Sequence, residues 1–375
     1  MNFHNKFRIL IFVDWYYPIG GIEVFLTNLI NKISSYAEIG LAVREFNGQS
    51  DFSCLENSAK IFRLKNNLWK ESKKIINAFS PNVIHLNNMM LSGLAALFVA
   101  KRKNIPVVFT NHRIPEYKTF NFFIFKNLSW KYVRWFNNRC DLITAPSETV
   151  VSFLKQHGIT KSITVSCGVD TKRFCPGNQN VAQKLLGLPN NIPIILFVGR
   201  YSDPEKNIDL LIKAGEILKN NIYDFRIVLV GFKLFKGLKK LINKSKIKNK
   251  IIEMGFIPNN SNKLLLVYQS ADIFVIPSVF ETQSIATLEA LASGIPVIAS
   301  NSGALPELIK DGENGFLFHK ENIDDLSKKL TMFFMDSNKA KKMATMARKS
   351  AMPHSLQIIA ENWIKIYEKA TKIRK

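Results

Sequence analysis

Short apolar runs alternate along the chain with longer stretches whose apolar residues recur every three or four positions. The runs at 8–13, 40–46, 83–86, 106–110, 142–145 and 163–166 are rich in Val, Ile, Leu and Phe and predict strands buried on both faces. The stretch 22–34 has apolar residues at 22, 25, 26, 29, 30 and 33, one face of a helix. Similar stretches lie between most of the strands, and this alternation implies βαβ units around a parallel sheet. Between 171 and 192 the pattern breaks, where Pro176, Gly177, Gly187, Pro189 and Pro193 punctuate a polar stretch. It then restarts, with strands predicted at 194–198, 226–230, 251–254, 273–276, 296–299 and 316–318. The expected class is α/β. Two Rossmann-like domains with parallel sheets occupy 1–175 and 193–353, a linker 176–192 joins them, and one last amphipathic helix fills 354–375.

Composition removes several alternatives. With 375 residues, 47% hydrophobic and 22% charged, the chain is neither disordered nor fibrous, and it is long enough to bury large cores. Cys54, Cys140, Cys167 and Cys175 form no CxxC pair and no zinc spacing, so reduced thiols and no metal are expected. The apolar run behind Lys6 and Arg8 ends at Asp14, too soon for a signal peptide. The most apolar segment, 89–100, holds Ser92 and Gly93 and is shorter than the roughly 20 residues of a spanning helix. A cytoplasmic protein without a membrane span is the expectation.

The formal charge is +23, spread over both halves of the chain. Nucleic acid, an anionic membrane and an anionic small substrate would all suit it, as would a solvated surface of lysines. No localised basic reading element is visible, so nucleic acid is not expected as a partner. Two stretches stand out. Residues 120–139 hold eight aromatics and four cations (Lys126, Lys131, Arg134, Arg139) without an acid, and 232–250 hold eight lysines without an acid. The first has the make-up of an interfacial helix, with Lys126, Lys131 and Arg134 as candidate membrane or acceptor contacts; the competing reading packs its aromatics into a core.

In open parallel sheets ligands bind beyond the carboxyl ends of the strands, so residues just after predicted strands are the candidates. Gly199, Arg200 and Lys206 follow the strand at 194–198, and two cations in a loop entering a helix suit a diphosphate. Glu281 follows the strand at 273–276, and Glu289 lies one to two turns into the next helix, with the backbone N–H groups around Ser284 and Ile285 at its start. A helix N-terminus favours phosphate and carboxylates favour sugar hydroxyls, a combination that fits a nucleotide-sugar. His112 ends the strand at 106–110, whereas His85 lies inside a strand and reads as a core residue.

The run from Ser278 to Ala299, with Glu281 and Glu289 eight apart, resembles the signature of retaining family 4 glycosyltransferases. The runs Phe197 to Asn207, Ser302 to Gly315, Gly168 to Phe174 and Pro18 to Glu23 are similar to that family's motifs in the same order. The resemblance implies a GT-B fold, two Rossmann-like domains facing across a cleft, and a nucleotide-sugar donor used without a metal cofactor. It implies that Arg200 and Lys206 hold the diphosphate, that Gly20 and Gly21 approach it, that Glu281 and His112 contact the transferred sugar, and that Glu289 binds the ribose. It also implies that the last helix crosses back to the first domain. Gln283-Ser284 replaces the commoner Phe-Gly, Arg113 a commoner Asp, and Cys167 a commoner Asn. Serine tolerates fewer conformations than glycine, which puts the backbone donors near Ser284 in question.

Gln283 and the run His112-Arg-Ile-Pro-Glu116 are similar to enzymes that glucosylate diacylglycerol. The expected activity is therefore a retaining hexosyl transfer to a membrane lipid, diacylglycerol or a phospholipid, by a protein peripheral to the inner face of the cell membrane. A polysaccharide or lipopolysaccharide acceptor is the alternative. A non-catalytic basic binding protein and a nucleotide-sugar epimerase or hydrolase are the rivals from other classes.

Overall fold

A computed structural model describes residues 7–14, 16, 20–44, 52–113, 123–201, 203–221, 224–232 and 236–374, with backbone alone over 123–129 and at 236. The chain forms two compact units, Met1–Cys167 with Leu356–Lys375, and Gly168–Ser355.

The first unit contains strands β1 (Phe7–Val13), β2 (Ala37–Arg44), β3 (Lys60–Leu64), β4 (Val83–Leu86), β5 (Val107–Thr110), β6 (Leu142–Ala145) and β7 (Ser162–Thr164). They form one parallel sheet in the order β3-β2-β1-β4-β5-β6-β7. Its helices are α1 (Gly21–Ile33), α2 (Leu68–Phe79), α3 (Leu91–Arg102), α4 (Phe123–Asn137) and α5 (Glu148–Gln156).

The second unit contains α6 (Gln179–Leu186), β8 (Ile194–Val198), α7 (Ile208–Leu218), β9 (Arg226–Val230), α8 (Lys236–Lys244), β10 (Ile251–Gly255) and α9 (Asn262–Gln269). It continues with β11 (Ile273–Ile276), α10 (Ile285–Ala292), β12 (Val297–Ser300), α11 (Leu305–Leu308), β13 (Gly315–Phe318), α12 (Ile323–Met335) and α13 (Ser337–Ala351). Its parallel sheet runs β10-β9-β8-β11-β12-β13. The central strands β8, β9, β11 and β12 are almost wholly buried, which is why they read as unbroken Ile/Val/Leu/Phe runs. Each such side chain, fully buried, contributes about 1.5–3 kcal/mol.

The last helix, α14 (Leu356–Ile373), belongs to the first unit. Its fully buried Trp363 packs on Phe25 and His85 at 5.9 and 4.8 Å between ring centres. Tyr367 hydrogen-bonds His85 Nδ1 at 2.9 Å, and Arg374 pairs with Asp141 at 3.0 Å.

The domain boundaries differ from those expected at 175 and 193. The second unit already begins at Gly168, because the segment that follows is bonded into it. Val169 donates its N–H to His354, and the Arg348 guanidinium donates to the carbonyls of Thr171, Phe174 and Ala292. The expected linker 176–192 contains α6, held to the second unit by Gln179 and Gln183 donating to the Ser270 carbonyl. The expected strand 40–46 starts earlier, at Ala37, and its last two positions lie outside the described residues. β3, an edge strand, was not expected: only its last residue is buried, so it lacks an apolar run.

Candidate functional site

In the second unit the strand order reverses between β8 and β11, the point at which open sheets of this kind hold ligands. The loop after β8 carries Arg200 and Lys206, and the loop after β11 carries Glu281. Lys206 Nζ donates to Glu281 Oε1 at 2.5 Å, and Ser278 Oγ donates to the same oxygen at 2.7 Å. Both charged side chains are largely buried.

The backbone of these loops is tied together. Val279 N–H donates to the Glu205 carbonyl at 2.7 Å, and Ala304 N–H to the Glu281 carbonyl at 2.9 Å. Ser302 Oγ donates to the carbonyls of Ser278 and Val279, so the loop after β12 joins the other two. Gly303 sits at φ +55, where a Cβ would lie 2.4 Å from the Glu281 carbonyl oxygen. Only glycine allows the approach that positions Glu281.

Arg200 stands apart from this pair. It is exposed and donates to Asp203 at 3.1 Å. The two cations expected to act together thus have different carboxylate partners. Glu281 and Glu289 likewise share no partner. The Glu289 carboxylate is buried, with Asn259 donating to Oε1 at 2.7 Å and the Tyr268 hydroxyl to Oε2 at 2.8 Å. Burial pushes its pKa up to about 7, against the opposing pull of Tyr268, Asn259 and the nearby Arg173 guanidinium. Arg173, in turn, donates to the Ser261 carbonyl at 2.9 Å.

Ser284 is the N-cap of α10, its Oγ accepting from the Thr287 N–H at 3.2 Å. Its φ and ψ are −94° and 108°, extended values open to any residue, so the glycine of other sequences is not required here. Helix geometry leaves the N–H groups of Ile285 and Ala286 without intrahelical acceptors, beside the Glu281 loop in sequence.

In the first unit His112 lies after β5. Its Nε2 meets Asn87 Oδ1, after β4, at 2.9 Å, and its ring packs on Phe25 at 5.3 Å. Burial and then the Arg113 charge lower its pKa to about 3, so the ring is neutral at physiological pH. His85 is a core residue, bonded to Thr110 Oγ1 at 2.7 Å and to Tyr367, and burial lowers it to about 3 as well. Gly20 is the N-cap of α1 and Gly21 its first residue; a Cβ on Gly20 would meet Glu23 Oε2 at 2.2 Å. Pro18, Ile19 and Glu116 lie outside the described residues, as does the side chain of Lys126, while Lys131 and Arg134 are exposed on α4.

Sequence reasoning gave no role to Asn259, Tyr268 or Arg173, and it placed Ser278 among the strand-end candidates without a role. Tyr268 lies within the apolar pattern of α9 and carries no separate signal. Among the described residues no group of three His, Cys, Asp or Glu side chains could hold a metal, and no helix is long and apolar enough to cross a membrane.

Residues 19–173 match Glycosyltransferase Family 4, and residues 179–350 match Glycosyl transferases group 1. The chain belongs to the family 4 glycosyltransferases. This family 4 chain is 29% identical over 272 residues to the sulfoquinovosyl transferase SQD2 of Arabidopsis thaliana, covering 69% of the chain but only about half (51%) of that relative. It is 24% identical over 396 residues to an alpha-monoglucosyldiacylglycerol synthase of Acholeplasma laidlawii, covering 96% of both. The structure of Anabaena HepE in complex with UDP superposes with a TM-score of 0.83 at 19% identity, covering 96% of this chain and all of that one (100%). The fold is therefore that of the GT-B glycosyltransferases.

Proposed function

We propose that this protein moves a sugar from a nucleotide-sugar to a hydroxyl of a membrane lipid, with retention of configuration at the anomeric carbon. The observation that carries this reading is the buried Lys206–Glu281 pair at the switch point of the second sheet, preceding the N-terminus of α10. A lysine ammonium has three donors and Glu281 takes one, which leaves two for diphosphate oxygens. Arg200 and the N–H groups of Ile285 and Ala286 add further donors for the leaving group, preorganised against its growing charge. Ser278 and Lys206 hold the Glu281 carboxylate on a fixed loop, suited to receive hydroxyls of the transferred sugar. Glu289 supplies the ribose contact.

In the reaction the acceptor oxygen attacks the anomeric carbon from the face the diphosphate leaves. The carbon–oxygen bond to phosphate breaks with its electrons going to the phosphate, and the acceptor proton passes to a phosphate oxygen. No covalent sugar–enzyme intermediate is invoked. Neutral His112 hydrogen-bonds the sugar and adds no positive charge that would oppose an oxocarbenium-like state. No metal is part of this scheme.

The lipid acceptor is supported by the alignment with the alpha-monoglucosyldiacylglycerol synthase over 96% of both chains, together with the Gln283 and His112-Arg-Ile-Pro runs. The site of action would be the cytoplasmic leaflet. The test is a donor screen followed by transfer to diacylglycerol and phospholipid in mixed micelles, with the product linkage read by NMR. An α-linked glycolipid from an α-linked donor supports the reading. Transfer only to soluble saccharides replaces the lipid by a polysaccharide acceptor, and conversion of donor alone replaces the transferase by an epimerase or hydrolase.

A further inference from the structure

α3 lies on the sheet of the first unit with Ala96, Leu97 and Ala100 buried beneath it. Its outer stripe runs Leu91, Leu94, Phe98 and Arg102 at helical spacing. A surface helix ordinarily turns polar residues outward along this line. Here the line is apolar for two turns, with Leu91 59% and Phe98 36% exposed, before it ends in Arg102.

Neighbouring helices extend the apolar face on both sides. Trp69, at the start of α2 and 39% exposed, lies 5.7 Å from Phe98 between ring centres. Trp135 of α4 lies 5.9 Å from Phe98, and Tyr132, 39% exposed, stacks on Trp135 at 5.9 Å. Guanidinium groups lie over two of these rings, Arg102 over Trp69 at 5.1 Å and Arg139 over Trp135 at 4.1 Å. The Tyr132 hydroxyl donates to the Met89 carbonyl and fixes α4 against the turn that precedes α3. In sequence α2, α3 and α4 carry many cations and a single acid, Glu71.

We propose that this face of the first unit docks on an anionic lipid bilayer, with the four rings at the acyl boundary and the flanking cations at the lipid phosphates. Trp and Tyr each have an apolar body and a polar tip, which suits the membrane–water boundary. Arginine packs its stem on apolar surface while its fork meets phosphate. The charge selects the occupant. A second copy of the same face would bring like charges together with almost no acid to offset them, whereas anionic head groups complement the ring of cations. The helix lies flat on the sheet, so the contact is interfacial and nothing spans the bilayer.

The inference rests on the lipid-acceptor reading for its purpose only, because docking is measured without donor or acceptor. Full-length protein is floated with vesicles of phosphatidylcholine alone and of phosphatidylcholine with equimolar phosphatidylglycerol. It should rise with the anionic vesicles, lose binding in high salt, and show quenching of tryptophan fluorescence by brominated lipid. The double variant Trp69→Ser/Phe98→Ser should weaken partition about tenfold or more. Arg102→Glu with Arg139→Glu should abolish the preference for anionic vesicles. Circular dichroism and thermal unfolding show whether these variants remain folded. Should one not fold, Trp69→Phe with Trp135→Phe keeps the rings and should remove the quenching by brominated lipid.

Absence of binding to anionic vesicles overturns the proposal, as does binding that survives both sets of folded variants. A dimer that the same substitutions dissociate also overturns it. A protein that docks but glycosylates no lipid keeps this surface and loses the lipid acceptor. A protein that glycosylates micellar lipid yet ignores vesicles does the reverse.

Discussion

Between β8 and β11 in the second unit, the loops bring together charged side chains: Lys206 on Glu281, with Ser278 beside them and Arg200 on Asp203 nearby in sequence. The first unit repeats this strand order, but the polar groups past β1, β4 and β5 are a carboxyl, an amide and a histidine, with the Arg113 charge beside the histidine. His112 is held uncharged by burial, its partner is an amide, and Asp14, at the end of β1, is buried with Ser92 donating to it at 2.5 Å. Burial raises the Asp14 carboxyl as well. One sheet plan therefore carries different chemistry in its two copies, and the loops decide which. In the proposed reaction the paired charges of the second unit would face the leaving diphosphate.

The largest effect that would test this contrast is the loss of Lys206. Lys206→Ala leaves Glu281 largely buried with its counter-charge gone. The cost to folding should be about 3 kcal/mol, the low end for a broken buried pair because the lysine keeps some contact with water. Turnover should fall steeply with it. Arg200→Ala, in contrast, removes an exposed pair and should cost at most about 1 kcal/mol of stability. Urea denaturation of both variants measures the difference. Equal, small losses would show that the second unit has no buried charge at its switch point.

The next effect depends on pH. Folded Glu289 keeps its proton up to about pH 7, while the unfolded carboxyl releases it near its ordinary 4.5. Between these values the folded state binds more protons than the unfolded one, so this group's contribution falls as pH rises through the window. The loss should amount to about 3 kcal/mol relative to Glu289→Gln, and should be absent in that variant. His112 titrates far below the same range, so it should add no inflection to activity near neutrality. Turnover of His112→Asn should drop without moving any inflection near pH 7, while Glu289→Gln should remove it. An inflection that disappears with His112 instead would reverse the contrast between the units.

Legibility in the sequence followed burial. β8, β9, β11 and β12 were plain because strands buried on both faces need apolar residues at every position. α6 was hidden for a local reason. Pro176, Gly187 and Pro189 were read as breaks, yet they flank or close a helix whose N-cap is Asn178 and whose C-cap is Gly187 at φ 67°. These are helix start and stop signals as much as loop signals. Lys206, Glu281 and His112 could be found from the strand-end rule. The partners of Glu289 are a different matter: Asn259 and Tyr268 come from a loop and a helix whose meeting with it is a tertiary event that no spacing encodes. The aromatic row was half visible. The stretch 120–139 showed its composition, but Trp130 and Phe136 turn into the core while Trp69 and Phe98 arrive from α2 and α3.

The smallest effect concerns Ser284, where the sequence departs from the commoner glycine at the start of α10. The extended φ of −94° means that neither serine nor glycine is strained, so the two should differ only in what the hydroxyl does. It accepts the Thr287 N–H and closes one of the open donors at the helix start. Ser284→Ala keeps the backbone and removes this acceptor, which should cost about 1 kcal/mol of stability. Ser284→Gly also removes it, but glycine is itself a tolerated N-cap, and the cost should shrink to about a few tenths of a kcal/mol. Donor binding should change little in either case, because the N–H groups of Ile285 and Ala286 are untouched by the exchange. Thermal unfolding and nucleotide titration of the two variants measure both quantities. A many-fold gain in nucleotide affinity for Ser284→Gly would mean that the serine restrains the loop. The donor site of the second unit would then be less rigid than its cross-loop bonds imply, and the contrast with the first unit would narrow.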